Sequence, residues 1–507
     1  MKGFRKITSV LLALAMLLGI SMTALAETSS AVSEFTIRKL SGDSHQYAVF
    51  QIFTGTYSDG KFSDIKYGQN TASGNTAGTA VPEDTLTKLT ALENKSDREK
   101  LDSILPLVNL TGTPFASLAA GDTEVKVAPG YYLIQDTTAL DKANDARNLY
   151  VVAVSENIEI KRKTDIPTVD KEIYDNADNG VAAGWGETAD HNLNESFQFR
   201  LTATVPADAK IKDYKDAYQL TFHDVMSAGI SFERIDSVEV NGVSIAASAY
   251  TTTATENMTA KEWTLTIPDA RSYVNGGEQE LKIGVTYSAH LNDSAVIGNH
   301  DDNKNTVDLE FSNNPNGEGK GKTKEDTVWA FSYELKNKKV RDTENGAALQ
   351  EAGFRLYKSY DASKEGDAQF ADEVKLIRKD GAYKPAASGE SGVEMRSGSD
   401  GTFNIQGLDA GTYYLRETTT PAGFNSLTAP ITVVIRATHT EDSETTAHTD
   451  ITITKDSAEV DEIVVVNKQG ITLPSTGGMG TTVLYAAGAL LVILAGAAVV
   501  VKRRREA

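Results

Sequence analysis

Three short runs in the C-terminal third of the chain carry groups that could react with one another. In Tyr333-Glu334-Leu335-Lys336-Asn337-Lys338-Lys339-Val340, the two-residue period of a strand puts Tyr333, Leu335, Asn337 and Lys339 on one side. A lysine that follows Tyr and Leu inward is carried into an apolar core. In Gly411-Thr412-Tyr413-Tyr414-Leu415-Arg416-Glu417, the same period groups Tyr413, Leu415 and Glu417. Burial lowers the pKa of an amine and raises that of a carboxyl, so both can sit neutral. A neutral amine is a nucleophile, and a neutral carboxyl can donate to an amide carbonyl and shuttle protons. The third run, Val464-Val465-Val466-Asn467-Lys468, ends on a side-chain amide that could lose ammonia to such an amine.

These runs sit in a segment that resembles the Cna-B type domains of Gram-positive surface proteins. The first strand leads to a Gly346 turn and Leu349–Tyr357, and Glu417-Thr418 is followed by Pro421-Ala422-Gly423-Phe424, which is similar to the E-box of that family. The resemblance implies that Lys339 and Asn467 join spontaneously as an isopeptide with Glu417 assisting. A bond closing a loop of more than a hundred residues could contribute roughly 4–5 kcal/mol in the chain-entropy picture used for disulfides.

The segment before it repeats this logic with weaker motifs. Lys171 opens its first strand. Val307, Leu309, Phe311 and Asn313 share a parity that turns Asn313 inward. Asp224 is the expected acid, with Asp208 and Asp213 as competitors. Here the resemblance is to the middle domain of major pilins, and it implies a second isopeptide between Lys171 and Asn313. The first segment has Lys39 and Asp136 but no clear Asn partner, so no bond is expected there.

The elements that must position these groups are strands. Thr and Val are abundant, and short alternating runs recur between Gly, Asn and Asp turns, the pattern of all-β sandwiches. The expected fold is three tandem immunoglobulin-like (Cna-type) sandwiches, at residues 27–163, 164–325 and 326–470. The first is decorated by a helical stretch over Leu86–Leu105, where Leu and Ile recur at three and four. The chain has 507 residues, no cysteine and a net charge of −20. An acidic exterior disfavours nucleic acid as a partner. Exported proteins often resist unfolding with disulfides, and amide cross-links would replace them here.

Both ends read as export signals. Lys2, Arg5 and Lys6 precede an apolar stretch, and Ala24-Leu25-Ala26 is a small-x-small cleavage site, so residues 1–26 are expected to be a signal peptide. At the other end, residues 471–507 read as a cell-wall sorting signal. Leu473-Pro474-Ser475-Thr476-Gly477 matches the pentapeptide that sortases cut between Thr and Gly. An uncharged run of 21 residues, Thr481–Val501, follows, then Lys502-Arg503-Arg504-Arg505. At about 1.5 Å per residue the run can cross a hydrocarbon core of roughly 30 Å as a transmembrane helix, with the basic cluster left inside.

This order of parts resembles the backbone (major) pilins of sortase-assembled pili. The resemblance implies a structural shaft subunit, anchored to the wall and held in the membrane as a precursor. Its partners would be pilus-assembly and housekeeping sortases, other copies of itself, minor pilins, peptidoglycan, and host or neighbouring-cell ligands. In that family a lysine after the first domain attacks the acyl-enzyme formed on the next subunit's threonine. Lys163 fits that position best and Lys161 next, although Ile160-Lys161-Arg162-Lys163 lacks the usual Tyr-Pro before the lysine. The alternative is a monomeric wall-anchored adhesin. An enzyme is disfavoured: the seven histidines form no nucleophile elbow or zinc motif, and no cofactor is implied. Asn299-His300-Asp301-Asp302-Asn303 lacks EF-hand spacing and reads as a polar turn, so no metal is expected.

Overall fold

The computed structural model describes residues 34–58, 61–92, 94–95, 97–140, 145–147, 149–154, 157–160, 166–177, 182–275, 279–470 and 479–505. The signal peptide, Lys161, Lys163 and the pentapeptide Leu473–Gly477 lie outside the described residues. The folded body is predominantly β, with its sheets falling into three groups along the chain.

In the first group, the strand Phe35–Lys39 pairs antiparallel with Glu124–Val127 and parallel with Ile158–Ile160. A second sheet holds Lys61–Tyr67, Tyr47–Ser58, Gly130–Asp136 and Leu149–Val154, with Ala116–Leu118 beside Tyr47–Ser58. Alternation along its central strands gives it two apolar faces. Tyr47, Val49, Tyr132 and Ile134 face the three-stranded sheet, while Phe50, Phe53 and Leu133 face the helical insert. The helical stretch expected over Leu86–Leu105 is two helices, Glu83–Thr90 and Asp97–Ile104, which bring Leu89 and Ile104 onto that face.

The second group is a sandwich. One sheet has the order Gly184–Gly186, Thr168–Asp175, Ser196–Val205, Leu281–Leu291, Ile230–Val240 and Val243–Ser244. The other contains Asp326–Phe331, Lys304–Ser312, Leu220–Met226 and Glu262–Ile267 as central strands. Ser196–Val205 shows the cause plainly: Phe197, Phe199, Leu201, Ala203 and Val205 are all buried, and the residues between them are not.

The expected boundary at 325/326 moves. The strand Asp326–Phe331 pairs with Lys304–Ser312 and so belongs to the middle sandwich. Its two faces serve two cores: Val328 and Ala330 pack in the middle one, Trp329 and Phe331 in the C-terminal one. Around this shared wall the two sandwiches are joined by polar contacts. Tyr333 donates its hydroxyl proton to Asp190 at 2.7 Å, His439 Nε2 lies 3.1 Å from the same carboxylate, and Leu193 N–H donates to the Gly407 carbonyl at 3.0 Å. Burial pushes the neighbouring Asp409 carboxyl well up. Burial would also raise Asp190, but its hydrogen bonds from Asp409, His439 and Tyr333 hold it below the ordinary carboxylate range. The two acids thus meet as a carboxyl and a carboxylate.

The C-terminal group has a sheet built on Gly353–Tyr360, Gly411–Thr419, Ile431–Ser443 and Thr446–Lys455. Opposite it stand the short strands Tyr333–Leu335 and Ile405–Leu408 and the parallel pair Asn337–Arg341 with Ile463–Asn467. A last helix runs Met479–Arg505, and its described apolar side chains, Leu490 to Leu494 among them, stand exposed. Among the described residues no helix is long and apolar enough to cross a membrane. The side chains of 479–484 and 500–505, which the expected span overlaps, are not described.

Gly407 is where the joint between the sandwiches is tightest. Its φ is +87°, and a Cβ there would sit 2.3 Å from Leu193 Cγ. Gly407→Ala is expected to lower stability by about 1–3 kcal/mol through strain and overpacking. Thermal melting would show the loss, with faster limited proteolysis between the middle and C-terminal sandwiches.

Candidate functional site

Lys339, Glu417 and Asn467 meet inside the C-terminal sandwich. Asn337–Arg341 and Ile463–Asn467 are parallel neighbours with Lys339 opposite Val465 and Arg341 opposite Asn467. Lys339 and Asn467 therefore sit on a diagonal of the same inner face. Both are buried, and the Lys339 ammonium group donates to Asn467 Oδ1. Glu417 arrives from the facing sheet. Its Oε1 lies 3.2 Å from Lys339 Nζ and accepts from Asn467 Nδ2 at 2.6 Å. Its other oxygen accepts from Leu427 N–H at 2.9 Å and Thr420 Oγ1 at 3.2 Å, so the loop after the strand fixes the carboxyl's orientation. That loop also grips the end of the last strand, through Asn425 N–H to the Lys468 carbonyl at 3.0 Å and Gly470 N–H to the Gly423 carbonyl at 2.8 Å.

Apolar walls complete the pocket. Phe354 stands opposite Glu417 in the sheet, with its ring 5.5 Å from Lys339 Nζ, and stacks on Phe403. Burial pulls the Lys339 amine down to about 8, although Glu417 opposes the shift. An amine with that value is partly neutral in neutral water. It lies against a side-chain amide whose nitrogen is already held by the acid. The arrangement can do one reaction: acyl transfer from the Asn467 amide to Lys339, with ammonia leaving.

The middle sandwich holds a second such group, with one expected member replaced. Lys171 and Asp224 are wholly buried and in direct contact. Burial pushes the lysine amine down and the aspartate carboxyl up, so both are driven toward their neutral forms. Of the competing acids, Asp213 ends the short turn Ile211–Asp213, and the Asp208 side chain is not described. Asn313 is not the amide of the site. It is buried at the seam with the first segment, where its Nδ2 donates to the Leu140 carbonyl at 3.1 Å and its own carbonyl accepts from Arg147 N–H at 2.8 Å. Asn305 occupies the place instead, on the same strand and of the same parity, opposite Met226 and diagonal to Asp224. Eight residues of strand separate the two asparagines, roughly 27 Å at about 3.4 Å per residue.

Sequence reasoning also missed Tyr287. Its hydroxyl donates to Asp224 Oδ2 at 2.8 Å, accepts from Lys171 Nζ at 3.0 Å and accepts from Asn305 Nδ2 at 2.5 Å. A signal existed for Asn305. It lies two residues before Val307 and shares its parity with Asn313, so the alternation that singles out Asn313 includes it as well. Tyr287 carried no separate signal among the other inward aromatics.

In the first segment, Lys39 and Asp136 do not meet. The Lys39 ammonium donates to the carbonyls of His45, Ala119 and Ala120 at 2.9, 2.9 and 3.0 Å. Asp136 faces His45 Nδ1 at 2.6 Å, and Asp145 faces His45 Nε2 at 2.9 Å. Burial alone would lower the His45 pKa, but the two carboxylates raise it to about 9. No group of acids and histidines that could hold a metal occurs among the described residues.

Residues 334–457 match the SpaA family, described as a prealbumin-like fold domain. Residues 465–507 match the LPXTG cell wall anchor motif. No curated protein matches the chain. Similar solved structures include BcpA, the major pilin subunit of Bacillus cereus, at 15% identity and TM-score 0.41, covering 86% of this chain and 99% of that one. The T6 backbone pilin of serotype M6 Streptococcus pyogenes is similar at 14% and 0.48, covering 88% and 100%. The full-length major pilin SpaD of Corynebacterium diphtheriae is similar at 17% and 0.44, covering 86% and 98%.

His45 makes the first segment pH-sensitive in a definite direction. Its folded pKa is raised, so the stabilisation is complete below its unfolded value of 6.5 and is lost as pH rises through about 9. The shift corresponds to about 3 kcal/mol. Local stability of this segment, followed by hydrogen exchange on the strand Tyr47–Ser58, is expected to fall between about pH 6.5 and 9.5. His45→Gln removes that slope.

Proposed function

We propose that this chain is a structural shaft subunit of a covalently polymerised pilus on a Gram-positive cell wall, stiffened by intramolecular Lys–Asn isopeptides. The observation that carries the reading is the closed contact of Lys339, Glu417 and Asn467 in an apolar pocket. A buried amine, acid and amide in mutual contact are costly unless they do something. Lys339 Nζ attacks Asn467 Cγ, the Cγ–Nδ2 bond breaks, and one proton passes by way of Glu417 to the departing nitrogen, which leaves as ammonia. The middle sandwich does the same with Lys171, Asp224 and Asn305. Each reaction happens once per molecule, so it is maturation rather than turnover.

The wall anchor motif at 465–507 supports the other half of the reading. A sortase cuts after Thr476 and transfers the threonyl group to Lys163, or to Lys161, of another copy. The housekeeping enzyme then joins the last subunit to peptidoglycan. Before cutting, the uncharged run Thr481–Val501 would hold the precursor at the membrane. Minor pilins and surface ligands complete the partner set.

Two measurements test this reading. Boiled cell-wall extracts are expected to give a high-mass ladder that Lys163→Ala collapses. A single band in the unmutated strain would instead mark a monomeric wall-anchored adhesin. Intact mass of the purified ectodomain is expected to be lighter than the sequence by one ammonia per internal bond, and Glu417→Ala restores one of them. An ectodomain at its full sequence mass would exclude internal bonds altogether.

A further inference from the structure

The two reactive clusters differ in one respect that bears on how each moves its proton. In the C-terminal sandwich the acid is a glutamate, long enough for one oxygen to reach both Lys339 and the Asn467 amide nitrogen. In the middle sandwich the acid is an aspartate, shorter by one methylene. Asp224 Oδ2 reaches Lys171 and the Tyr287 hydroxyl, and it is Tyr287, not the acid, that holds Asn305 Nδ2. Asn305 Oδ1 and Nδ2 are both buried, and Tyr287 is the partner of the nitrogen. The ring over Lys339, by contrast, is the phenyl of Phe354, which carries no hydroxyl.

We propose that Tyr287 is a catalytic residue of the middle-domain cross-link, relaying the proton from Asp224 to the departing Asn305 nitrogen. The inference rests on the reading that Lys171 and Asn305 become joined. As Lys171 Nζ bonds to Asn305 Cγ, the amine proton passes to Asp224 Oδ2, its hydrogen-bond partner. Asp224 gives a proton to the Tyr287 oxygen while Tyr287 gives its own to Asn305 Nδ2. The Cγ–Nδ2 bond breaks and ammonia leaves. One proton has moved from Nζ to Nδ2, and both relay groups end as they began.

The position of Tyr287 suits this task. It stands on Leu281–Leu291, opposite Phe199 in the neighbouring strand, and is wholly buried. Its ring stacks between Phe199 and Phe232, with Trp263 edge-on at 5.0 Å. The ring cannot swing away, so the hydroxyl is held among the three reacting groups. Burial and the Asp224 charge push the phenol well above its ordinary value, which keeps it protonated and able to donate. The aspartate plus tyrosine of one domain thus spans the distance that a glutamate spans alone in the other.

The test follows intact mass over time in freshly synthesised ectodomain, with the Lys339–Asn467 bond as an internal control for folding. Unmutated chain is expected to lose one more ammonia than Lys171→Ala; equal losses would sink the underlying reading itself. Given that difference, Tyr287→Phe is expected to close the middle bond at least tenfold more slowly, while the C-terminal bond closes normally. The double variant Asp224→Glu with Tyr287→Phe is expected to recover it, because the longer acid reaches the amide directly. A tyrosine with merely structural value predicts no such recovery. Closure of the bond in Tyr287→Phe at the unmutated rate overturns the proposal and leaves the cross-link standing. Where Tyr287→Phe fails to fold, difluorotyrosine at 287 keeps the shape and lowers the phenol pKa. It is expected to move the pH profile of bond formation downward, and an unmoved profile overturns the relay.

Discussion

The burial of a lysine amine between two sheets is the constraint on which the rest depends. A lone ammonium in such a place is strongly disfavoured, and the chain has two ways out: give the charge a partner or remove the proton. In the first segment it takes the former route. Lys39 spends its three protons on three backbone carbonyls and has no side-chain amide beside it to attack. In the C-terminal sandwich the amine meets a carboxyl and an amide, and in the middle one a carboxyl and the Tyr287 hydroxyl that holds Asn305, both among aromatic rings. In the middle sandwich burial lowers Lys171 and raises Asp224, so a proton passed from the amine to the acid leaves both neutral. The same residue type is thus structural in one domain and, on the proposed reading, reactive in two, and the difference lies in what its three hydrogens touch.

Much of this was legible in the sequence because a strand's period is two. Parity alone sends Lys339 and Glu417 inward, and the structure finds both buried. Parity cannot say which of several inward residues on one strand lies opposite a given partner. Asn305 and Asn313 share a face, and only the register of Lys304–Ser312 against Leu220–Met226 sets Asn305 beside Asp224. Register is decided by non-local pairing, which short-range patterns do not encode. The same reason hid Tyr287: it shares its inward parity with Leu281, Ile283 and Val285 on Leu281–Leu291, and only the pairing of strands brings its hydroxyl to Asp224 and Asn305. The break between the two helices of the first segment was hidden differently. Leucine spacing continues on both sides of it, so periodicity reads straight across.

The boundary between the middle and C-terminal sandwiches was misplaced for a further physical reason. A strand with both faces apolar reads as core whichever domain is imagined around it. Val328 and Ala330 on one side, and Trp329 and Phe331 on the other, leave no polar face to mark an edge. A strand shared in this way couples the two cores, since neither can be repacked without moving the other. The polar seam then adds direction. Asp190, from the middle sandwich, accepts from Tyr333 and lies against His439, and Asn192 Oδ1 accepts from Asp409 N–H at 3.1 Å. Charge-assisted bonds of this kind fix orientation more sharply than apolar contact does.

In the proposed shaft, this coupling and the cross-links bear on one another. Tension would enter at the linker lysine and leave at Thr476. Lys171 lies just after the linker on the first strand of the middle sandwich, and Asn305 lies on a late one. A bond between them would pass the load across the domain without stretching the strands between. The shared strand Asp326–Phe331 hands the load on, and Lys339 and Asn467 stand on parallel neighbouring strands at the start and end of the last sandwich. Parallel neighbours pulled from opposite ends are loaded in shear along their length, and a side-chain amide between them would stop that sliding. The first segment precedes the linker and lies off this path. That is where Lys39 is satisfied by carbonyls rather than by an amide. On that reading the reactive lysines would follow the line of force, with cross-links where the chain would otherwise be drawn out and none where hydrogen bonds suffice.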